Sequence, residues 1–372
     1  MTDVRKDSAK GRCLYATTPY ATDAMILSET PLIVSSPLGL PRAWSRLLSR
    51  QHDGVLLDPQ WCLAAVIAAK AISADQALRE SVADKFVQTA WLENTGTGQR
   101  VYREALELIY SLDDTDKAVG VDDFLLGLSV MHFNAYQLPR AGSLALFHRI
   151  SMISHSCCPV ADYSFDSDDK MTIKALKPLV NGEEVTVSYI GSSLLQSTNM
   201  RASVLKGWLF RCRCARCTHA LDLSRGFCCP DPSCDGVCFL GNMSGGEAEA
   251  EDDVGPEASE PCTACGEILG GASLQWLLER ERLYTAALEE GALESAESWS
   301  LVEDRLFGAS SFFRQHWILD RIDRAMLGHL TGAGSASTDA DVTIRRERIA
   351  AFWRASLAPW PWLSNGDWSK LL

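Results

Sequence analysis

Three cysteine thiols lie within six residues of one another, at Cys212, Cys214 and Cys217. Thiolates bind zinc tetrahedrally, and a structural zinc site uses four ligands. The cluster therefore predicts a metal site that takes its fourth ligand from elsewhere in the chain, and Cys157 is the strongest candidate. The alternative is three unpaired surface or core thiols, which would be open to oxidation.

Two further cysteine pairs predict a second four-thiol zinc site, of the ribbon type. Its ligands would be Cys229, Cys234, Cys262 and Cys265. Either Cys228 or Cys238 could replace one of these four, and a loop with spare thiols is the alternative. Bound zinc here would be structural and would contribute on the order of several kcal/mol to the free energy of folding.

Composition limits the classes of function. The chain has 372 residues, 47% of them hydrophobic, with a formal net charge of −13 and a pI of about 5.0. Such a charge repels phosphate backbones, so we expect a basic peptide or protein as partner and no direct binding of nucleic acid. The longest apolar stretch, 61–69, is too short for a membrane span, which needs roughly 20 residues.

No secretory signal is visible at the start of the sequence, so we expect a soluble protein of the cytoplasm, the nucleus or both. In a reducing compartment the 13 cysteines indicate metal binding rather than disulfides. We also expect a monomer with no membrane association.

The elements that must position these thiols alternate between strand and helix patterns. Short apolar runs within 11–35 predict two or three strands, and residues 42–138 show apolar residues at helical spacing. Strand character returns over 143–190, and a short helix over 199–210 leads into the first cysteine cluster. Residues 274–327 are again helical in pattern, as are 343–357. A tail follows that we expect to be pinned to the helical region by Trp360, Trp362 and Trp368.

Four segments resemble, in order and spacing, the motifs of SET domains. They are Gly11–Thr17, Ile153–Pro159, Gly182–Ile190 and the cysteine-containing segment Trp208–Cys217, which resembles the family's post-SET segment. The most similar subfamily is the SET-and-MYND group, in which an insertion splits the SET core. The MYND zinc finger would fall within 40–130, where its ligands are missing, so the chain resembles a relative that lacks the finger.

This resemblance implies an α+β fold in which a SET-domain β-fold is split by a helical insertion and followed by a zinc-bound post-SET module and a C-terminal helical region. It also implies that Cys157, Cys212, Cys214 and Cys217 share one zinc ion. The expected boundaries are N-terminal SET strands at 10–40, a helical insertion at 41–125, the SET core at 126–198, the post-SET zinc segment at 199–220, a zinc-ribbon-like segment at 225–270 with an acidic loop at 242–261, and a C-terminal helical region at 272–372.

The activity that the resemblance implies is S-adenosylmethionine-dependent N-methylation of lysine in a protein, with a histone or another basic protein as substrate. Two alternatives stay open. The chain could be a catalytically weak or inactive SET-type zinc scaffold for protein–protein interaction. A zinc-dependent nucleic-acid binder is the third hypothesis, and the acidic charge argues against it.

Individual residues take roles from the matching motif positions. The Tyr189 hydroxyl would orient the lysine amine, and Phe210 would stack on the adenine of the cofactor. Asn134 would bind the methionine part of the cofactor. The remaining expected cofactor contacts are Ser154, His155 through its backbone, and the backbone groups of Arg12 and Cys13. Structural alternatives are a helix end for Asn134, a plain core ring for Phe210 and a buried strand tyrosine for Tyr189.

Four positions depart from the family motifs. Cys13 stands where the first motif has its second glycine, and Ser154 stands where a later motif has asparagine. Val160 replaces another asparagine with a side chain that forms no hydrogen bond, and Trp208 stands where a second tyrosine is frequent. These departures could change the rate of methyl transfer and the number of methyl groups added. They are the reason for the alternative of an inactive scaffold.

Overall fold

The computed structural model describes residues 1–8, 10–50, 58–86, 119–241, 259–289, 313–331 and 339–365. The chain divides into two compact units, Met1–Ser154 with Ala161–Val187 and His155–Val160 with Ser188–Leu372. Several predicted features lie outside the described residues, namely part of the helical insertion at 87–118, most of the acidic loop at 242–258, and Trp368.

The first unit contains short antiparallel strands. Their bounds are β1 Thr2–Asp7, β2 Gly11–Ala16, β3 Met25–Glu29, β4 Ile33–Ser35, β5 Tyr136–Gln137, β6 Leu144–Leu146, β8 Ala161–Phe165, β9 Met171–Ala175 and β10 Thr186–Val187, while the two-residue β7, Ser154–His155, lies where the chain passes to the second unit. β1 pairs with β2 along its whole length, β9 lies between β3 and β8, and β6 lies between β4 and β5.

Four helices complete the described part of the first unit. They are α1 Pro41–Arg50, α2 Pro59–Ala74, α3 Gln76–Lys85 and α4 Val121–Asn134. Asp58 caps α2 by accepting a hydrogen bond of 2.7 Å from the backbone N–H of Gln60, and Pro59 occupies the first turn, where its missing N–H costs nothing. α2 is apolar around most of its surface, and it contributes side chains to two buried clusters.

The packing of α4 on α2 depends on Gly127. A Cβ atom added to this glycine would lie 2.8 Å from the backbone oxygen of Ala65 and 3.2 Å from the Cβ of Ala68. The two helices therefore approach more closely than a larger residue would permit. Asn134 is the last residue of α4.

The second unit combines one small sheet with helices. Its elements are α5 Thr198–Leu205, β11 Leu221–Cys228, β12 Val237–Gly241, α6 Gly271–Glu289, β13 Phe313–His316, α7 Trp317–Thr331 and α8 Asp339–Ser356, with 3₁₀ turns at Gly191–Leu195, Lys206–Trp208 and Pro361–Asn365. β11 is the central strand and pairs antiparallel with β12 and β13.

The predicted strands within 11–35 and the helix before the first cysteine cluster are present. One expectation was wrong: β13 interrupts the region 274–327 that we predicted to be helical throughout. Phe313 and His316 are buried and Arg314 is exposed, and β13 gains its backbone hydrogen bonds from β11, so pairing between distant segments decides the local structure. None of the described helices has both the length and the apolar character required to cross a membrane.

Gly127 provides a test of the helix packing. Replacing glycine by alanine inside a helix ordinarily stabilises a protein, by roughly 1 kcal/mol. We expect Gly127→Ala to lower the free energy of unfolding instead, by about 1 kcal/mol, because the added methyl group would overlap the Ala65 carbonyl oxygen. Urea unfolding would measure the change. Gly207→Ala is the control, since a Cβ there meets no atom within 4 Å; stabilisation by Gly127→Ala would contradict the packing described.

Candidate functional site

The first cysteine cluster is formed in the second unit. The Sγ atoms of Cys157, Cys212, Cys214 and Cys217 all lie within 4.8 Å of one another. Cys157 and Cys217 are buried and the other two are half-buried. The cluster packs with three buried aliphatic side chains, those of Ile190, Leu194 and Leu205. The structure thus brings together the four thiols that the sequence analysis grouped, although more than fifty residues separate Cys157 from the rest.

The close spacing of these sulfur atoms constrains their ionisation. Hydrogen bonds from its neighbours hold the pKa of the Cys214 thiol far below its ordinary value, and the same contacts raise the pKa of Cys157. The four thiols therefore cannot all ionise together unless a cation offsets their charge. Four soft sulfur donors at this spacing suit a tetrahedral divalent ion of the zinc type, and the set leaves no coordination position open.

Two buried arginines lie beside the cluster. The Nη2 atom of Arg201 is 3.9 Å from the Sγ atom of Cys217, and Nη1 of Arg216 donates to the backbone oxygen of Cys157 at 3.3 Å. Arg201 and Arg216 are 1% and 4% exposed. A divalent ion held by four thiolates would leave two excess negative charges, and the guanidinium groups of Arg201 and Arg216 lie where they would oppose that charge. The buried carboxylate of Asp222 also attracts Arg201, whose guanidinium donates to the backbone oxygen of Gln196 and to the Thr198 hydroxyl.

The second cysteine cluster lies in the same unit, around β11 and β12. The Sγ atoms of Cys229, Cys234, Cys262 and Cys265 lie within 4.8 Å of one another, and neither Cys228 nor Cys238 belongs to this group. The backbone N–H groups of Cys265 and Ala264 donate to the Cys262 thiol and lower its pKa to about 6. Such N–H···S bonds stabilise thiolates, which is the form that binds a metal ion.

Gly236 is required by the second cluster. Its backbone N–H donates to Cys234 Sγ at 3.4 Å. A Cβ atom on Gly236 would lie 2.2 Å from Cys262 Sγ and 2.9 Å from the Cβ of Ala264. The chain therefore passes close to the sulfur atoms at a point where only glycine fits.

Three aromatic side chains lie close together beside the first cluster, and two of them belong to the segment that leads into Cys212. The ring of Tyr189 lies 6.0 Å from that of Trp208 and 6.5 Å from that of Phe210, measured between centroids. Tyr189 and Trp208 pack directly against the thiol cluster. Between Trp208 and Phe210, Leu209 has a φ of +59°, a left-handed conformation that non-glycine residues rarely adopt. Phe210 stays 37% exposed, so part of its ring is open for another planar group.

His155 joins the aromatic group to the thiols. Its ring lies 5.3 Å from the ring of Tyr189 and 6.0 Å from that of Phe210. Nδ1 accepts a hydrogen bond of 3.0 Å from the backbone N–H of Tyr189, and Nε2 lies 3.2 Å from Cys157 Sγ. Burial lowers the pKa of His155 to about 4, so the imidazole is neutral near pH 7.

Ser154 and Cys13 meet at one carboxylate in the first unit. The Ser154 hydroxyl donates to Glu184, and Lys10 Nζ lies 2.6 Å from the other oxygen of the same group. Burial, together with the nearby Glu184 carboxylate, raises the pKa of the Cys13 thiol to about 11, so this thiol is protonated near pH 7. Two of the four departures from the family motifs thus contact the same acidic side chain.

The other two candidates of the first unit have local partners. Asn134 ends α4, and its side-chain Nδ2 donates to the backbone oxygen of Val130 at 2.9 Å. This is the helix-end position that the sequence analysis considered as an alternative. Arg12 lies on β2, where its guanidinium is 3.8 Å from the exposed Asp84 carboxylate, a surface contact of small energetic value.

Sequence reasoning missed several residues that support these groups. Arg201 and Arg216 carry no recognisable spacing, because their importance arises only when the chain folds. Glu184 lies within the motif segment Gly182–Ile190, but its contacts with Ser154 and Lys10 join positions that are distant in the chain. Trp362 was expected to pin the tail, and its indole Nε1 donates to the backbone oxygen of Pro159 at 3.0 Å, within the same unit. The tail therefore contacts the loop that carries His155 and Cys157.

Comparison with known proteins gives the following matches. The family model described as "SET domain" matches residues 11–190. The histone-lysine N-methyltransferase ASHR1 of Arabidopsis thaliana is 31% identical over 108 residues, which cover 26% of this chain and 22% of that protein. A SET and MYND domain-containing protein of Dictyostelium discoideum is 31% identical over 87 residues, which cover 23% of this chain and 25% of that protein.

A solved structure, Rubisco LSMT bound to AdoMet, aligns over 100% of this chain and 88% of that chain, with 13% identity and a TM-score of 0.41. The chain spans about a quarter of the length of the two curated relatives that it matches. The family match covers three of the four motif segments and ends before the cysteine-containing segment Trp208–Cys217, so the similarity to the SET domain extends from Gly11 to Ile190.

Proposed function

We propose that this protein is an S-adenosylmethionine-dependent protein-lysine N-methyltransferase. The observation that carries the proposal is the group formed by Tyr189, Phe210 and His155, packed beside a complete four-thiol cluster. The SET domain at 11–190 supports the proposal, as does the similarity to proteins named histone-lysine methyltransferases.

The chemistry requires an aligned and neutral amine. S-adenosylmethionine supplies a methyl group on a sulfonium centre, and the lysine amine, whose ordinary pKa is about 10.4, must lose its proton to attack. A dry site disfavours the ammonium form, and alignment to within roughly 3–3.5 Å of the methyl carbon lowers the barrier. The Tyr189 hydroxyl orients this amine, and the half-open ring of Phe210 provides a stacking surface for adenine.

By their motif positions, residues of the first unit are also proposed as cofactor contacts. Asn134 binds the methionine part, and the backbones of Arg12 and Cys13 approach the cofactor. Ser154 contributes through its backbone, because its hydroxyl is engaged by Glu184. Backbone recognition tolerates the departures at Cys13 and Ser154, since main-chain atoms are the same in every residue.

Each four-thiol cluster is proposed to hold one structural zinc ion. Both donor sets are complete with sulfur, whereas a catalytic zinc keeps a position for water or substrate. The first ion would join the loop at Cys157 to the post-SET segment. The second would hold the β11–β12 turn against the Cys262–Cys265 turn.

The proposed substrate is a lysine in a basic protein, a histone among the candidates. The net charge of −13 attracts a basic segment and disfavours direct binding of nucleic acid. We further propose that the protein acts as a monomer in the cytoplasm or nucleus. Methyl transfer from labelled S-adenosylmethionine to a panel of histones and other basic proteins tests the activity, and the absence of cofactor binding by calorimetry would refute it.

Tyr189→Phe tests the role of the hydroxyl. We expect the rate of methyl transfer to fall by about 100-fold or more, because the amine would lose the group that aligns it. Cofactor affinity should change much less than the rate. Tyr284→Phe, on α6, is the control for removal of a tyrosine hydroxyl elsewhere in the same unit. Transfer by Tyr189→Phe at the wild-type rate would remove Tyr189 from the mechanism.

Arg201 tests the charge balance at the first cluster. We expect Arg201→Met to release metal to a chelator at least 10-fold faster than the wild type. The variant loses the attraction between the guanidinium and the negatively charged cluster, and a loss of about 1.4 kcal/mol corresponds to a factor of ten. Arg201→Lys retains the charge and should fall between the methionine variant and the wild type. The exposed Arg213→Met is the matched control on the neighbouring segment. Equal release rates in all four proteins would show that Arg201 does not stabilise the cluster.

Gly236→Ala tests the second cluster separately. The new methyl group would overlap Cys262 Sγ, so we expect the zinc content to fall from about two ions per chain to about one. Elemental analysis of the purified protein measures this content. Gly270→Ala, where a Cβ meets no atom within 4 Å, should keep both ions. An unchanged zinc content in Gly236→Ala would contradict the proposed ligand set.

A further inference from the structure

The imidazole of His155 has a partner at each of its two nitrogen atoms. Nδ1 is 3.0 Å from the backbone nitrogen of Tyr189, and Nε2 is 3.2 Å from Cys157 Sγ. The side chain is 7% exposed, so water competes little for either contact. One ring therefore lies between the backbone of Tyr189 and a thiol of the first cluster.

The hydrogen-bond partners fix the tautomer of this ring. A backbone N–H can only donate, so Nδ1 of His155 must accept and carries no proton. In a neutral imidazole the proton is then on Nε2, which faces Cys157 Sγ. The ring thus donates an N–H···S bond to Cys157 and accepts an N–H···N bond from Tyr189, and both of its hydrogen-bonding positions are used.

The two bonds have different effects. The N–H···S bond places a donor on the sulfur of Cys157, which stabilises its thiolate form and limits its release from a bound ion. Cys157 is the thiol that comes from a distant part of the chain, so its retention decides whether the cluster stays closed. The other bond fixes the main chain of Tyr189, whose ring also contacts the imidazole at 5.3 Å between centroids.

We propose that His155 is a positioning residue that connects the thiolate of Cys157 to the main chain of Tyr189, so that metal retention and tyrosine placement depend on opposite sides of one imidazole. The part that concerns Tyr189 rests on the proposed methyl transfer. The part that concerns Cys157 is independent of that activity.

Two amide substitutions separate the two bonds. The side-chain oxygen of asparagine can take the place of Nδ1 and accept from the Tyr189 N–H, but His155→Asn is too short to reach Cys157 Sγ. The longer amide in His155→Gln can extend an N–H donor to Cys157 Sγ, but it leaves the Tyr189 N–H without an acceptor at Nδ1.

We expect the two variants to rank in opposite orders in two measurements on the full-length, zinc-loaded protein. His155→Asn should release metal to a chelator at least about 10-fold faster than His155→Gln, in line with the loss of a hydrogen bond to a metal ligand. His155→Gln should have a kcat for methyl transfer about 10-fold below that of His155→Asn, with the smaller difference in KM. His148→Gln, in the first unit, controls for the loss of a histidine elsewhere.

The outcomes are distinguishable. Equal metal release from both variants and the wild type would overturn the proposed link to Cys157. Equal loss of both properties in the two variants would reduce His155 to a space-filling residue, which also overturns the proposal. If the wild-type protein transfers no methyl group, the proposed function fails, whereas the metal-release comparison still decides whether the Nε2 side of His155 supports Cys157.

Discussion

The mutual repulsion of four thiolates is the constraint on which the rest of this region depends. Sulfur atoms within 4.8 Å of one another remain together as ligands only if positive charge is supplied at the same place. A bound divalent ion and the guanidinium groups of Arg201 and Arg216 would provide it. Cys157 comes from one segment of the chain and the other three thiols come from another. The positive charge that keeps the four sulfur atoms together therefore also holds these two segments together.

Closure of the cluster has consequences for the neighbouring aromatic residues. Phe210 is only two residues from Cys212, so a fixed cluster restricts where its ring can lie. Tyr189, two residues after the end of β10, packs on the cluster, and its backbone N–H is held by His155. The positions of these rings are therefore set by metal-site chemistry and hydrogen bonding, whereas surface loops without such ties would sample many arrangements.

The sequence could predict features whose physics is local. Thiol spacing, alternating strands and a helix before the first cysteine cluster follow from residues that are close in the chain. The structure contains each of them, although the helix predicted over 199–210 ends at Leu205. The polar strand Thr2–Asp7 shows no apolar alternation and forms because it pairs with β2, and Phe313–His316 forms because it pairs with β11. The burial of Arg201 and Arg216 is likewise a tertiary property that no pattern of neighbours indicates.

The departures from the family motifs also become connected through tertiary contacts. Viewed as single positions, Cys13 and Ser154 each remove a feature of the motif, a small residue in one case and an amide in the other. In the structure both face the Glu184 carboxylate, which Lys10 also contacts. An asparagine amide would offer that carboxylate a donor as well as an additional acceptor, whereas a serine hydroxyl and a protonated thiol can both donate to it. The two changes thus satisfy one half-buried acceptor together, and their joint effect on the site cannot be obtained by adding two separate losses.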